Sequence, residues 1–139
     1  GRHEKIFGEP LEIENGEILA KSTGEFIYTS PNLRGSVGKV GKCVRVKTGN
    51  VEIIVGSVQR QTLDDRPFPI LGTLAENYRI IAIKSANHYR AFYKDHAAKI
   101  IPVETPGIQC ADLTSLTYNK TQRPVFPLEK DFRWKAGKQ

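Results

Sequence analysis

The stretch RIIAIKSANHYRAFYKDHAAK, residues 79–99, decides how this chain reads. Its opening, Ile80 to Ile83, is a short apolar run with the length and composition of a buried strand. Its remainder spaces Tyr89, Phe92, Tyr93 and Ala97 so that they share one face of a helix, with Asn87 as the N-cap. A strand running straight into a helix predicts an α/β arrangement, and binding residues in such sheets gather where strands end and helices begin. Lys84, Ser85, Asn87, His88 and Arg90 stand at that junction. A helix N-terminus offers unpaired N–H groups and a positive dipole end to an anion, and Lys84 and Arg90 would add charge-assisted bonds. His88 would serve as acid, base or donor to a developing oxyanion. A plainer reading stands beside this one: Lys84 and Arg90 are surface charges and His88 caps or packs.

Working outward, the first half of the chain reads as short strands and glycine turns. LEIENGEILAK, 11–21, places Asn15-Gly16 between two alternating runs, a tight-hairpin signal. GEFIYT, 24–29, is a strand, and SPNLRGSVGKVG, 30–41, is a loop. KCVRVKTGNVEIIVGS, 42–57, is the clearest hairpin, turning at Thr48-Gly49-Asn50. Its second strand is apolar at nearly every residue, which predicts a central strand covered on both faces. After the junction, IIPVET is a third strand-like run, Pro106-Gly107 a turn and CADLTSL a short helix; an extended tail follows from Tyr118. The expected fold is mixed α/β (α+β), with hairpins in the first half and strand-helix alternation in the second.

The segment VQRQTLDDRPFPILG, 58–72, cannot be a regular element, because Pro67 and Pro69 forbid ladder pairing. Asp64 and Asp65, beside Arg60 and Arg66, either bind a polar ligand or bond the free N–H groups of their own loop. No metal site is legible. His3, His88 and His96 have no ligand spacing, and on one helix His88 and His96 would stand about 12 Å apart. Phosphate-loop, dinucleotide and nucleophile-elbow signatures are also lacking.

At 139 residues the chain suits one domain, and its 39% apolar and 26% charged composition is that of a soluble globular protein. No run reaches the roughly 18 to 20 apolar residues of a membrane helix, so no membrane association is expected. The net charge of +6 is spread along the chain and interleaved with acids, which argues against nucleic acid. Its densest basic stretch, KDFRWKAGK from Lys130, falls in a terminal tail, 130–139. Methionine is absent, so a processed or cut piece of a longer protein is expected. Cys43 and Cys110 read as reduced thiols of a cytoplasmic protein, although two cysteines leave a disulfide open.

Four stretches in order, VGSVQRQTLDDRPF, IAIKSANHYRAFY, VETPGIQCADL and RPVFPLE, together with the hairpin GKCVRVKTGNVEIIV, carry a resemblance. The chain resembles the C-terminal domain of the MlrC family, the microcystinase C-like metallopeptidases, over about Gly8 to Glu129. Its most specific element is Lys-Ser-x-x-His-aromatic-Arg, where Tyr89 stands in place of an expected phenylalanine. The resemblance implies a two-domain zinc-dependent amide or peptide hydrolase. Its metal ligands lie in a large N-terminal domain, and the C-terminal domain completes the cleft. Neither that zinc domain nor the glycine-rich Gly-Asp-Thr segment opening the second domain is found in this chain. Residues 1–129 are therefore read as the later part of that second domain, holding no metal and inactive by themselves.

On this reading His88 and Tyr28 are the catalytic candidates, with Tyr28 donating to a tetrahedral oxyanion. Lys84, Ser85 and Arg90 orient substrate, and Gln61, Asp64 and Asp65 belong to the same rim. The implied partners are the missing N-terminal domain, in the same chain or a separate subunit, and a small peptide or amide. An apolar face left where that domain docks would favour a homo-oligomer. The rival function is a non-catalytic module that binds anions or serves assembly through the Lys84–Arg90 junction.

Overall fold

The structure, a computed structural model, describes residues 10–104, 112–131 and 133. These fall into two compact units, one spanning Leu11–Ile101 and the other drawing on Pro10 and the residues from Pro102 onward.

The first unit is built on two small antiparallel sheets. Strands β1 (Glu17–Ser22), β4 (Cys43–Thr48) and β5 (Val51–Gly56) form a three-stranded sheet in the order β1-β4-β5. Strands β2 (Glu25–Ile27) and β3 (Val37–Lys39) form a two-stranded ribbon inserted between β1 and β4 in the chain. The β4–β5 hairpin follows the sequence expectation. Thr48 pairs with Val51 across a two-residue turn, and Gly49 takes the positive φ of 56° that such a turn asks of its first central residue.

The placement of β5 corrects one expectation. It is an edge strand, with Val51 58% and Val55 48% exposed, and β4 occupies the centre. An all-apolar run reports β propensity, whereas burial on both faces depends on neighbours that are not encoded in the run. The Asn15 turn also forms, with Asn15 at φ 54°, but residues 11–13 make no ladder with β1. β1 instead pairs with β4, with a register shift at Leu19 between the Ile18–Val46 and Ala20–Arg45 pairs.

The ribbon carries the core. Phe26, Tyr28 and Leu63 are buried together, with Val40 and Ile70 packed against them. Phe26 meets Tyr28 edge to face at 5.0 Å, a favoured aromatic geometry. Opposite Phe26 in the ladder is Gly38, where an added Cβ would lie 2.4 Å from the Phe26 ring. At the crossing from ribbon to sheet, Gly24 (φ 79°) lies against Gly41, so close that a Cβ would stand 1.9 Å from the Gly41 carbonyl oxygen.

The strand-helix alternation expected of the second half is not formed. Residues 80–84 join no ladder, the Ser85 N–H donates to Ile83 O at 3.1 Å, and Ile80 is 88% exposed. The following helix, α1 (Arg90–Tyr93), is one turn, starting from Tyr89 without a side-chain cap. Asn87 contributes only its carbonyl, which accepts from the Arg90 N–H at 3.0 Å. The predicted face nevertheless persists, since Tyr93 is buried and Tyr89, Phe92 and Ala97 are half-buried. The run IIPVET gives no strand among its described residues.

In the second unit, Asp112 caps a 3-10 turn at Leu113–Ser115 by accepting from the Thr114 N–H. Glu129 grips the turn of 123–129 by pairing with Arg123 and accepting from the Val125 N–H at 2.6 Å. His3, Cys110, the Pro106-Gly107 turn and most of the basic tail lie outside the described residues. Among the described residues, no helix is long and apolar enough to cross a membrane.

Candidate functional site

Tyr28 is the first residue beyond β2, and the ribbon holds it in place. Its N–H donates to Ser36 O at 3.0 Å and its carbonyl accepts from Gly35 N–H at 2.9 Å, which closes the neck of the 29–35 loop. The ring is buried while the residue still lines a groove. Burial raises its phenol pKa, the Asp64 carboxylate raises it further, and the Arg60 charge pulls it back down. Tyr28 is therefore a neutral O–H donor across the physiological range.

The irregular 57–68 segment reaches this position through Leu63, which packs on the Tyr28 ring cluster, and through Asp64. Asp64 is fully buried. Its Oδ2 accepts from the Thr29 and Ser30 N–H groups at 2.8 and 3.0 Å, and Oδ1 accepts from the Arg66 N–H at 3.2 Å. One carboxylate thus staples the Tyr28 loop to the Gln61 loop by taking up backbone donors that neither loop satisfies for itself. Asp65 pairs with Arg66 through two 2.9 Å bonds, a fork-to-fork contact that raises the Arg66 pKa. Asp65 is thus committed within its own loop, whereas Asp64 spends one oxygen on its own loop at Arg66 and the other on the separate segment at Thr29 and Ser30.

His88 arrives from the turn before α1. Its Nδ1 meets Gln61 Oε1 at 2.5 Å; with a carbonyl oxygen as partner, Nδ1–H is the donor, and Nε2 is left for another role. Tyr28, Gln61 and His88 come from three separate stretches and line one groove of about 520 Å³, completed by Asn32, Leu33, Arg60 and Leu63. A smaller hollow of about 220 Å³ adjoins it, sharing Tyr28, Leu33 and Arg60. The larger volume lies within the range of small-molecule sites.

Five sequence candidates do not line the groove: Asp64 and Asp65, whose bonds are given above, and Lys84, Ser85 and Arg90. Lys84 is exposed, and the Arg90 guanidinium lies over the Tyr89 ring at 5.5 Å. Ser85 Oγ is buried and has no hydrogen-bond partner among the described residues. A single helical turn also lacks the aligned peptide dipoles of a longer helix, so the anion-site argument built on its N-terminus lapses. Sequence reasoning missed Asn32, Leu33 and Leu63, which carry no chemical signature, and weighed Arg60 only as a loop charge.

No group of three His, Cys, Asp or Glu that could hold a metal ion occurs among the described residues. His96 is occupied elsewhere, donating from Nδ1 to Phe92 O at 2.8 Å and stacking on the Phe92 ring at 4.0 Å. Cys43 is a free, buried thiol whose pKa is raised by burial.

Comparison with known proteins finds relatives of the sequence. The family model described as MlrC C-terminus matches residues 1–120. A curated relative, "Microcystinase C" from Sphingomonas sp, is 28% identical over 130 residues, covering 93% of this chain and 24% of its own length. The chain thus spans about a quarter of the relative it matches. No solved structure matches. With the family model covering most of its length, the chain belongs to the MlrC C-terminus family.

Proposed function

We propose that this domain is one wall of the active-site cleft of an MlrC-like amide or peptide hydrolase. The zinc would be held by an N-terminal domain, in the same chain or as a separate subunit. The observation that carries the reading is the convergence of Tyr28, Gln61 and His88 on one groove, with Gln61 fixing the His88 ring. His88 Nε2 is assigned as the acid-base group and the Tyr28 O–H as a donor to the substrate oxygen. Gln61 and Asp64 hold these two in place. Lys84, Ser85 and Arg90 are assigned to flanking substrate or to the opposing domain, and Asp65 to the loop through Arg66. A cytoplasmic setting goes with the free Cys43 thiol. The rival reading as an anion-binding module draws on Arg60 rather than on the Lys84–Arg90 junction.

In the complete protein, His88→Ala should lower kcat/KM by roughly 10²- to 10⁴-fold, as loss of a positioned acid-base group does, and Tyr28→Phe by roughly 10²-fold. Thermal unfolding of His88→Ala should stay close to wild type, because His88 is exposed. Metal analysis beside the assay should find zinc in the longer form and none in this chain. Unchanged turnover in His88→Ala, or stoichiometric zinc in the short chain, would sink the assignment.

A further inference from the structure

Arg60 is the positively charged residue on the wall of both hollows, and its guanidinium has no acceptor of its own to offer. Several other cations of this unit are already matched. Lys39, in the smaller hollow, pairs with Glu25 at 2.7 Å, and Arg66 is held bidentately by Asp65. Arg45 pairs with Glu52 at 3.3 Å. Among the described residues no carboxylate pairs with Arg60. Asp64, the acid nearest in sequence, is committed to Thr29, Ser30 and Arg66 and has no exposed surface to offer.

The rest of the groove supplies a complementary pattern. Leu33 and Leu63 make an apolar side, and the Tyr28 O–H, Gln61 amide and His88 ring make a polar one. An unpaired guanidinium beside an apolar wall and a row of hydrogen-bonding groups matches a ligand with a carboxylate, an adjacent apolar side chain and an amide. Arg is suited to this because its planar fork binds both carboxylate oxygens at once.

We propose that Arg60 is the specificity-determining residue of this groove and that it selects amides or short peptides carrying a free carboxylate next to an apolar side chain. The assignment rests on the groove being the substrate site, as put forward above, and adds the class of substrate. Arg60 binds and orients; the proposal gives it no part in bond breaking.

The test uses the chain itself with two probes that differ in one group, N-acetyl-leucine and N-acetyl-leucinamide, titrated by NMR against wild type and Arg60→Gln. Wild type should bind the acid at least about tenfold more tightly than the amide, with the preference shrinking as salt rises. Arg60→Gln should abolish the preference while leaving amide binding and the thermal midpoint unchanged. Equal binding of the two probes, no saturable binding of either, or a preference that survives Arg60→Gln would overturn the proposal. His88→Ala turnover in the complete protein separates this from the hydrolase reading. If turnover depends on His88 while Arg60→Gln keeps the preference, only the Arg60 assignment falls. If the preference depends on Arg60 while turnover ignores His88, the groove binds carboxylates and the catalytic reading falls.

Discussion

Tyr93 shows how a single hydroxyl can set the alkaline limit of the fold. Its O–H is buried with no hydrogen-bond partner among the described residues, and burial together with the nearby Asp65 and Asp64 charges raises its pKa. In the unfolded chain the phenol ionises near pH 10, whereas the folded chain keeps the proton to higher pH. Above pH 10 the native state therefore binds more protons than the unfolded state. The stability tied to Tyr93 is complete below that pH and is lost as pH rises toward the folded value, at up to about 1.4 kcal/mol per pH unit. Tyr93→Phe should raise stability by about 1 kcal/mol at pH 8, since an unsatisfied buried polar group is removed, and should shallow the decline above pH 10. Tyr28, shifted in the same direction, keeps part of the slope. Urea midpoints at pH 8 and pH 11 check both statements, and a variant less stable at pH 8 would show that the hydroxyl has a partner. Asp64 marks what sequence could tell at this scale. Its type predicted either a ligand-binding acid or a loop-holding one, and the choice depended on donors some 35 residues away, at Thr29 and Ser30.

Among the elements, the β4–β5 hairpin was legible because its information is local: alternating β-formers flank a Gly-Asn turn, and the register follows from the turn. The β1–β4 pairing was not, because β1 has a turn signal next to it that suggests a nearer partner in residues 11–13. The segment 80–99 misled for a related reason. Its periods are right, as the half-buried Tyr89, Phe92 and Ala97 beside buried Tyr93 show, but a period states which side chains agree on a face and not how many turns are made. Glycines separate the two kinds of connection. At Gly49 a Cβ meets nothing within 4 Å, so Gly49→Ala should cost only the left-handed strain, about 1 kcal/mol. At Gly24 the same strain is joined by a clash with the Gly41 backbone, which cannot rotate away as a side chain could. Gly24→Ala should cost 3 kcal/mol or more, on the order of an overpacked core site. Equal shifts in the denaturation midpoints of the two variants would mean that the Gly24–Gly41 approach is looser than described.

For the molecule as a whole, sequence delivered the chemical types of the groove residues but not their meeting. The approach of Tyr28, Gln61 and His88 depends on Leu63 and Asp64 drawing an irregular loop onto the β2–β3 ribbon, and irregular backbone leaves no period to read. The strand-to-helix pattern marked the stretch around His88 and the family resemblance added Tyr28; the geometry added Arg60 to the groove. The nesting of one sheet's strands around the other has a further effect, on the order of events in time. β4 and β5 meet across two residues, whereas β1 reaches β4 only by closing a loop that contains the whole ribbon. Short loops close sooner and at lower entropic cost, so the hairpin should be present at the folding barrier and β1 should arrive late. Ile53→Ala in β5 should then mainly slow refolding, while Leu19→Ala in β1 should mainly hasten unfolding and leave the refolding limb nearly unmoved. Stopped-flow chevrons would show the two patterns. A β1 that docks last also detaches first, which makes the strand preceding the ribbon the place where unfolding of this unit begins.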